Sequence, residues 1–170
     1  MKKALYILGD LEDRDLLWLN QTGRVRVLGA GEALISAGRA IDDLFFIVAG
    51  EFDVILPGGR SVARLAIGDI TGEMSFVEKR LPSASVIAAG AAEVLAVPRA
   101  AIEARLATDT GFAARFYRAL AVFLSDRLRT ATSDAGADDP EEIDEGLLDT
   151  LHVAGDRFTR LLDLLAGRAR

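Results

Sequence analysis

The sequence predicts a mainly β fold of the sandwich or jelly-roll type, with one short helix before the strands and two longer helices after them. Between Val25 and Val97 the chain consists of short apolar runs that glycines separate. Short strands at such close spacing, joined by Gly and Pro turns, are typical of sandwiches and jelly rolls. After Pro98 the apolar residues recur at helical spacing instead. The predicted class is therefore α+β, with strands in the majority.

The first helix is predicted to begin at Asp10, and its apolar residues are Leu11, Leu16, Leu17 and Leu19, with Trp18 at its centre. The clearest strand pair is segment 51–65, EFDVILPGGRSVARL, in which PGG separates two partly alternating runs. We expect five further strands at VRVL, ALIS, DLFFIV, SVIAA and EVLAV.

A long helix is predicted from Phe112 to Arg129, after a shorter helical segment that Pro98 opens in its first turn. Most of its charged residues, Arg127 among them, are assigned away from the apolar face. That face must cover the barrel, a ligand or a partner helix, and its members are Phe112, Phe116, Leu120, Phe123, Leu124 and Leu128.

Composition divides the chain into three parts. Residues 1–132 form the strand-rich domain with the long helix, and residues 133–146 form an acidic linker, SDAGADDPEEIDEG. Residues 147–170 are predicted to form an amphipathic terminal helix that serves in docking or pairing. Its apolar stripe consists of Leu147, Leu148, Leu151, Ala154, Phe158, Leu161, Leu162 and Leu165.

Bulk composition excludes several classes of protein. A chain of 170 residues with 51% hydrophobic and 27% charged residues is typical of a soluble globular protein. The net charge of −6 argues against broad nucleic-acid binding, and the absence of cysteine excludes disulfides and thiolate metal sites. No apolar run is long enough for a membrane helix, and the N-terminal run is too short for a secretory signal. We therefore expect a cytoplasmic protein.

Residues that carry chemistry are sparse. His152 is the only histidine and belongs to the predicted terminal helix, whereas a jelly-roll metal site usually needs several histidines inside the barrel. The sequence shows no serine-histidine-acid set and no glycine-rich loop followed by Lys-Ser or Lys-Thr. We predict neither an enzyme nor a metal site.

The element order and three segments carry a resemblance to a known family. The segments are AGEALISAGRAIDDLFFIVAGEFDVIL, LAIGDITGEMSF and PSASV, with glycines at 31, 38, 50, 68 and 72. Over residues 11–130 the chain resembles the cyclic-nucleotide-binding domain of catabolite-activator-type regulators and of kinase regulatory subunits. The resemblance implies a jelly-roll-like β-roll whose long C-terminal helix packs on the barrel, and it implies cAMP or cGMP as the ligand.

The same resemblance implies a ligand site in the loop GEMSFVEKRLPSASV. Gly72 would let the backbone approach the ligand, Glu73 would accept a hydrogen bond from the ribose 2′-hydroxyl, and backbone amides would face the cyclic phosphate. The candidate ligand-binding residues are Gly72, Glu73, Met74, Ser75, Pro82, Ser83, Ala84 and Ser85.

Pro82 is the one large departure from the family pattern, because the family has an arginine at this position. Arginine offers phosphate a fixed charge and a fork of donors, and proline offers neither. A hydrogen bond to a charged group contributes about 1.5–3 kcal/mol, so its loss would weaken binding roughly tenfold to a hundredfold. Arg80 is the candidate for supplying the charge from a shifted position.

Each part of the loop also has a purely structural interpretation. Glu73 can cap its own turn without any ligand, Gly72 can be needed only for a positive φ, and segment 82–85 can simply lead into the next strand. The long helix can likewise serve core packing or dimerisation rather than ligand contact.

Two functions of different classes remain open. The first is a sensor in which a cyclic nucleotide or related ligand enters the barrel and shifts the C-terminal helices. The second is a ligand-free interaction or scaffold module that oligomerises through its helices, as a homodimer or with a protein partner. A transcription factor is disfavoured, because the acidic segment and apolar terminal helix leave no recognition helix after Arg129. Neither nucleic-acid nor membrane binding is expected.

Overall fold

The computed structural model describes residues 10–133, 155–157, 159–165 and 167. The helices are α1 (Asp13–Thr22), α2 (Glu73–Glu78), α3 (Arg99–Thr108) and α4 (Thr110–Ser133). The strands are β1 (Arg24–Leu28), β2 (Ala33–Ile35), β3 (Asp43–Ala49), β4 (Phe52–Ile55), β5 (Ser61–Leu65), β6 (Ile70–Thr71), β7 (Ser85–Ala88) and β8 (Ala92–Pro98). Within these residues no helix is both long and apolar enough to cross a membrane.

The strands form two antiparallel four-stranded sheets, ordered β1-β8-β3-β6 and β2-β7-β4-β5. Strand β3 separates two apolar layers, because both of its faces are buried. Phe45 and Ile47 pack between the two sheets, whereas Leu44 and Phe46 belong to the apolar cluster on the helical side. Two apolar layers thus flank the first sheet. The predicted mainly β roll with flanking helices is confirmed.

The predicted strands and the hairpin are all present. Strand β4 pairs with β5 across the PGG turn, where Gly58 and Gly59 both have positive φ. The sequence reading missed β6, since a strand of only two residues is too short to show any alternation. Pro98 ends the strand character, as the sequence predicts, but it directly precedes α3 rather than lying in its first turn.

Two leucines assigned to apolar faces lie at the surface instead. Leu17 is 45% exposed and Leu128 is 67% exposed. Phe112, Phe116 and Phe123 are fully buried, as the long-helix prediction required. The apolar period of α4 therefore continues through Leu128 although this side chain is largely exposed.

A buried carboxylate joins the helices to one another. Asp15 of α1 has no exposed surface and accepts hydrogen bonds from Arg105 of α3 at 2.6 Å and from Arg115 of α4 at 2.9 Å. Burial alone would raise the pKa of Asp15, but the hydrogen bonds and the two positive charges hold it below its ordinary value of 3.8. This triad fixes the mutual position of α1, α3 and the start of α4.

The terminal segment packs on the same helical layer. Residues 155–157 and 159–165 are helical, and Leu161 and Leu165 join the cluster formed by α1, α4 and the first sheet. Arg160 forms an ion pair with Asp13 of α1. Ser133, the first residue of the predicted linker, is the last residue of α4. The rest of the linker, His152 and the stripe residues Leu147, Leu148, Leu151, Ala154 and Phe158 lie outside the described residues, so the predicted domain boundaries stay a prediction.

Candidate functional site

A cavity of about 250 Å³ opens between the second sheet and the segment that contains α2. Ile35 of β2, Val54 of β4 and Val86 of β7 form its floor. The start of α2 and residues 80–84 form the opposite wall, and Arg127 reaches in from α4. An apolar floor with a few polar groups at one side is the usual composition of a small-molecule site.

Gly72 shapes the turn that leads into α2. Its φ of 93° is in the left-handed region, and a Cβ added there would lie 3.3 Å from the carbonyl oxygen of Asp43. Both the conformation and the close approach to β3 therefore favour glycine. The structural interpretation of Gly72 is confirmed, and it is compatible with a role in ligand binding.

Glu73, the first residue of α2, is only 2% exposed, and its carboxylate forms an ion pair with the guanidinium of Arg127. Burial raises the pKa of Glu73, while the charge of Arg127 and a hydrogen bond from the backbone of Glu73 itself act in the opposite direction. Glu73 is also the acid in the first turn of α2, which is compatible with the capping interpretation. One carboxylate thus lines the cavity and connects α2 to the long helix.

Arg127 was missed by the sequence reading, which assigned it away from the apolar face. Its side chain is 28% exposed, and its guanidinium lies 5.4 Å from the ring centroid of Phe123. Phe123 is one helical turn earlier, so Arg127 continues the buried face rather than the solvent face. The sequence itself shows only that Arg127 follows Phe123 of the apolar face by four residues.

Pro82 and Arg80, the two residues considered for the charge of a phosphate, both line the cavity. Pro82 lines the cavity, and its carbonyl accepts a hydrogen bond from the N–H of Gly38 at 2.8 Å. Arg80 also lines the cavity, but its side chain is 82% exposed and its guanidinium lies 3.8 Å from the carboxylate of Glu78. Both side chains thus lie at the outer wall of the cavity.

The structure gathers most of the candidate ligand-binding residues around one space. The residues that line the cavity are Gly72, Glu73, Met74, Ser75, Arg80, Pro82, Ser83 and Ala84. The hydroxyl of Ser85 instead accepts a hydrogen bond from the N–H of Ala37 at 3.0 Å, which ties β7 to the loop after β2. Ser85 therefore supports the wall of the cavity.

Comparison with known proteins decides the family. The family model described as the cyclic nucleotide-binding domain matches residues 25–109, which is half of the chain. This chain belongs to the cyclic nucleotide-binding domain family. Domains of this family are regulatory ligand-binding modules and are typically not enzymes.

Among curated proteins, the cyclic nucleotide-binding-domain chain is 32% identical over 127 residues to Glutaminase 1 of Bradyrhizobium diazoefficiens. The match covers 75% of this chain but only 21% of the glutaminase, so it concerns one part of that enzyme.

Solved structures share the fold. A cyclic nucleotide-binding domain from Methylobacillus flagellatus superposes with a TM-score of 0.69 at 22% identity, covering 84% of this chain and 85% of that one. The catabolite activator protein of Thermus thermophilus gives a TM-score of 0.64 at 21% identity, covering 96% and 88%. At these identities the superpositions establish the β-roll architecture.

Proposed function

We propose that this cyclic nucleotide-binding-domain protein is a sensor that binds a cyclic nucleotide or a related small ligand beneath α2 and signals through its C-terminal helices. One observation carries the proposal: Glu73 lines the cavity while it holds Arg127 of the long helix. A ligand that hydrogen-bonds to Glu73 competes with Arg127 for the same carboxylate. Occupancy of the cavity and the position of α4 are then linked.

The linkage has a defined place along α4. Phe112, Phe116 and Phe123 are fully buried and anchor the first part of the helix, whereas Leu128 is exposed. The segment after Phe123 is therefore the part that a change at Arg127 can move. Such a change signals only if the ligand has different affinities for the two helix positions.

Affinity for a cyclic phosphate is expected to be low. Pro82 supplies no charge, and the guanidinium of Arg80 is largely in solvent. The missing hydrogen bond between a phosphate and an arginine at position 82 corresponds to a loss of about tenfold to a hundredfold in affinity.

Isothermal titration calorimetry of the full chain with cAMP and cGMP tests the proposal. Saturable binding that Glu73→Ala abolishes supports it. Glu51→Ala is the matched control, because Glu51 forms an exposed ion pair with Arg64 on the second sheet, away from the cavity. Absence of heat with cyclic nucleotides and related ligands at several hundred micromolar contradicts the proposal.

A ligand-free interaction module is the second candidate, and the same ion pair favours it. Arg127 satisfies Glu73 from within the chain, so the site is electrostatically complete without a ligand. Tyr117 and Leu128 leave exposed apolar surface on α4 that a second copy or another protein can cover. Sedimentation of the full chain against a truncation ending at Ser133 tests this function, and a monomer in both cases contradicts it.

Cytoplasmic location stays a prediction from composition.

A further inference from the structure

Three turns meet at one end of the second sheet. In the register of this sheet, the end of β2 and the end of β4 both lie beside the start of β7. The N–H of Gly38, after β2, donates to the carbonyl of Pro82, before β7, at 2.8 Å. The N–H of Leu56, after β4, donates to the carbonyl of Arg60 at 2.9 Å. The turns that therefore lie side by side are residues 36–41, 56–60 and 79–84.

These turns carry four positive charges and no acid. The cations are Arg39, Arg60, Lys79 and Arg80, which are all exposed and together define the basic end of the sheet. Arg80 lies 3.8 Å from Glu78. The other three form no ion pair with any residue that the structure describes, whereas most of the described arginines are paired. Exposed cations without counter-charges attract an anionic partner.

The acids of the chain are concentrated in one segment. Residues 134–145, DAGADDPEEIDE, contain seven acids and no base. The whole chain has 26 acids and 20 lysine and arginine residues, so outside this segment 19 acids stand against 20 cations. The net charge of −6 thus originates in this segment, and such blocks of like charge are often interaction segments.

The acidic segment begins close to the basic end. Helix α4 ends at Ser133, six residues after Arg127, so at 1.5 Å per residue about 9 Å of helix separate the two. Arg127 and Arg80 line the same cavity. The twelve residues from 134 to 145 span up to roughly 40 Å when extended. The acids are therefore able to reach all three turns from the end of α4.

From this charge complementarity and short separation we infer that residues 134–145 dock on the basic end of the same chain. Each exposed ion pair is weak, so several pairs act together, and salt screens them. The covalent connection to α4 raises the effective concentration of the segment at this surface. The inference goes beyond the proposed function, because it needs no ligand in the cavity.

Paired spin labels on the full chain test the inference. The chain contains no cysteine, so two introduced cysteines take the labels selectively. Ala137→Cys places one label in the acidic segment, and Ser61→Cys places the other at the exposed start of β5, beside Arg60. Double electron–electron resonance in about 0.1 M salt is expected to show a short and narrow distance population.

The charge dependence of this population identifies the surface. Arg39→Glu combined with Arg60→Glu is expected to reduce it at least twofold. Salt at about 1 M, where the screening length falls from about 10 Å to about 3 Å, is expected to do the same without any substitution in the basic end. Arg14→Glu combined with Arg118→Glu is the matched control, because both arginines are exposed, lie on the helices and change the net charge equally. This control is expected to leave the population unchanged.

The possible outcomes decide between docking within one chain and its alternatives. Distances that are the same in all variants and at both salt concentrations overturn the inference. An equal loss in the control variant also overturns it, because overall charge rather than the basic end would then decide. A population that persists after dilution with excess unlabelled chain supports docking within one chain. A population that disappears on dilution assigns the surface to a second copy and overturns it. None of these results depends on a cyclic nucleotide, so they are independent of the calorimetric test of the proposed function.

Discussion

Removing Arg127 is the perturbation whose effect on this cyclic nucleotide-binding-domain protein can be worked out most fully from the structure. Arg127→Met keeps an aliphatic side chain but removes the charged guanidinium, which lies over the ring of Phe123. Glu73, at 2% exposed, is then left in the interior without its counter-ion. Loss of one partner of a buried pair costs about 3–5 kcal/mol. Because Arg127 is itself 28% exposed, we expect the lower end, about 3 kcal/mol.

Substitution of the other partner, Glu73, is expected to lower the stability less. Glu73→Gln leaves Arg127 unpaired, but the guanidinium has solvent access, and glutamine still offers an acceptor. We expect a loss of about 1 kcal/mol, near the net value of a single hydrogen bond. Arg118→Met is the matched control on the same helix, since Arg118 is 76% exposed and lies 3.5 Å from Asp10. An exposed pair of this kind contributes at most about 1 kcal/mol.

The cost of Arg127→Met is also expected to depend on pH. Burial raises the pKa of Glu73 in the folded protein above its ordinary 4.5. The protonated side chain of Glu73 therefore contributes stability that is fully present below pH 4.5, and this contribution is lost as pH rises through the pKa of Glu73 in the folded protein. Removing Arg127 raises the folded pKa further, so the variant's deficit is expected to be larger at neutral pH than at a pH below 4.5.

Urea unfolding followed by circular dichroism at the two pH values measures these differences. A deficit for Arg127→Met no larger than that of Arg118→Met would refute the reasoning. So would a deficit that stays constant with pH, or a Glu73→Gln variant that is less stable than Arg127→Met.

Three further predictions address the site, the helical layer and the terminal segment. Pro82→Arg should raise cAMP affinity about tenfold to a hundredfold by calorimetry, and no gain would contradict a phosphate position beside Ser83. Asp15→Asn should reduce the loss of stability that acid causes. The pKa of Asp15 is lowered in the folded protein, so its carboxylate contributes stability fully above about pH 4 and loses that contribution at lower pH. Acid-unfolding curves by circular dichroism that coincide for the variant and the wild type would contradict this. Leu161→Asp should release the terminal helix and speed hydrogen exchange in residues 155–165, and unchanged exchange would argue against its docking.

Local patterns were sufficient to predict most of the fold. The apolar run DLFFIV predicted strand β3, and the structure adds that its alternate residues enter two different apolar layers. The positive φ that one interpretation assigned to Gly72 is present, whereas its close packing against β3 became visible only in the structure. Strand β6 was missed because two residues carry no period.

The central contact of the site could not be predicted from local patterns. Glu73 and Arg127 are 54 residues apart in the chain, and only the packing of α4 on the roll brings them together. Periodicity placed Arg127 among the solvent-facing charges, although it follows Phe123 by one helical turn. The buried Asp15 was missed for the same reason, since its arginines come from two other helices.

The central claim is that occupancy of the Glu73 cavity alters the last part of α4. Hydrogen exchange of residues 124–133, measured during titration of the wild-type chain and of Glu73→Ala with cAMP, cGMP and related ligands, tests it most directly. The account predicts a saturable change in exchange with at least one of these ligands in the wild type and none in Glu73→Ala. Exchange that is unaffected by every ligand, or equally affected in both proteins, would contradict it.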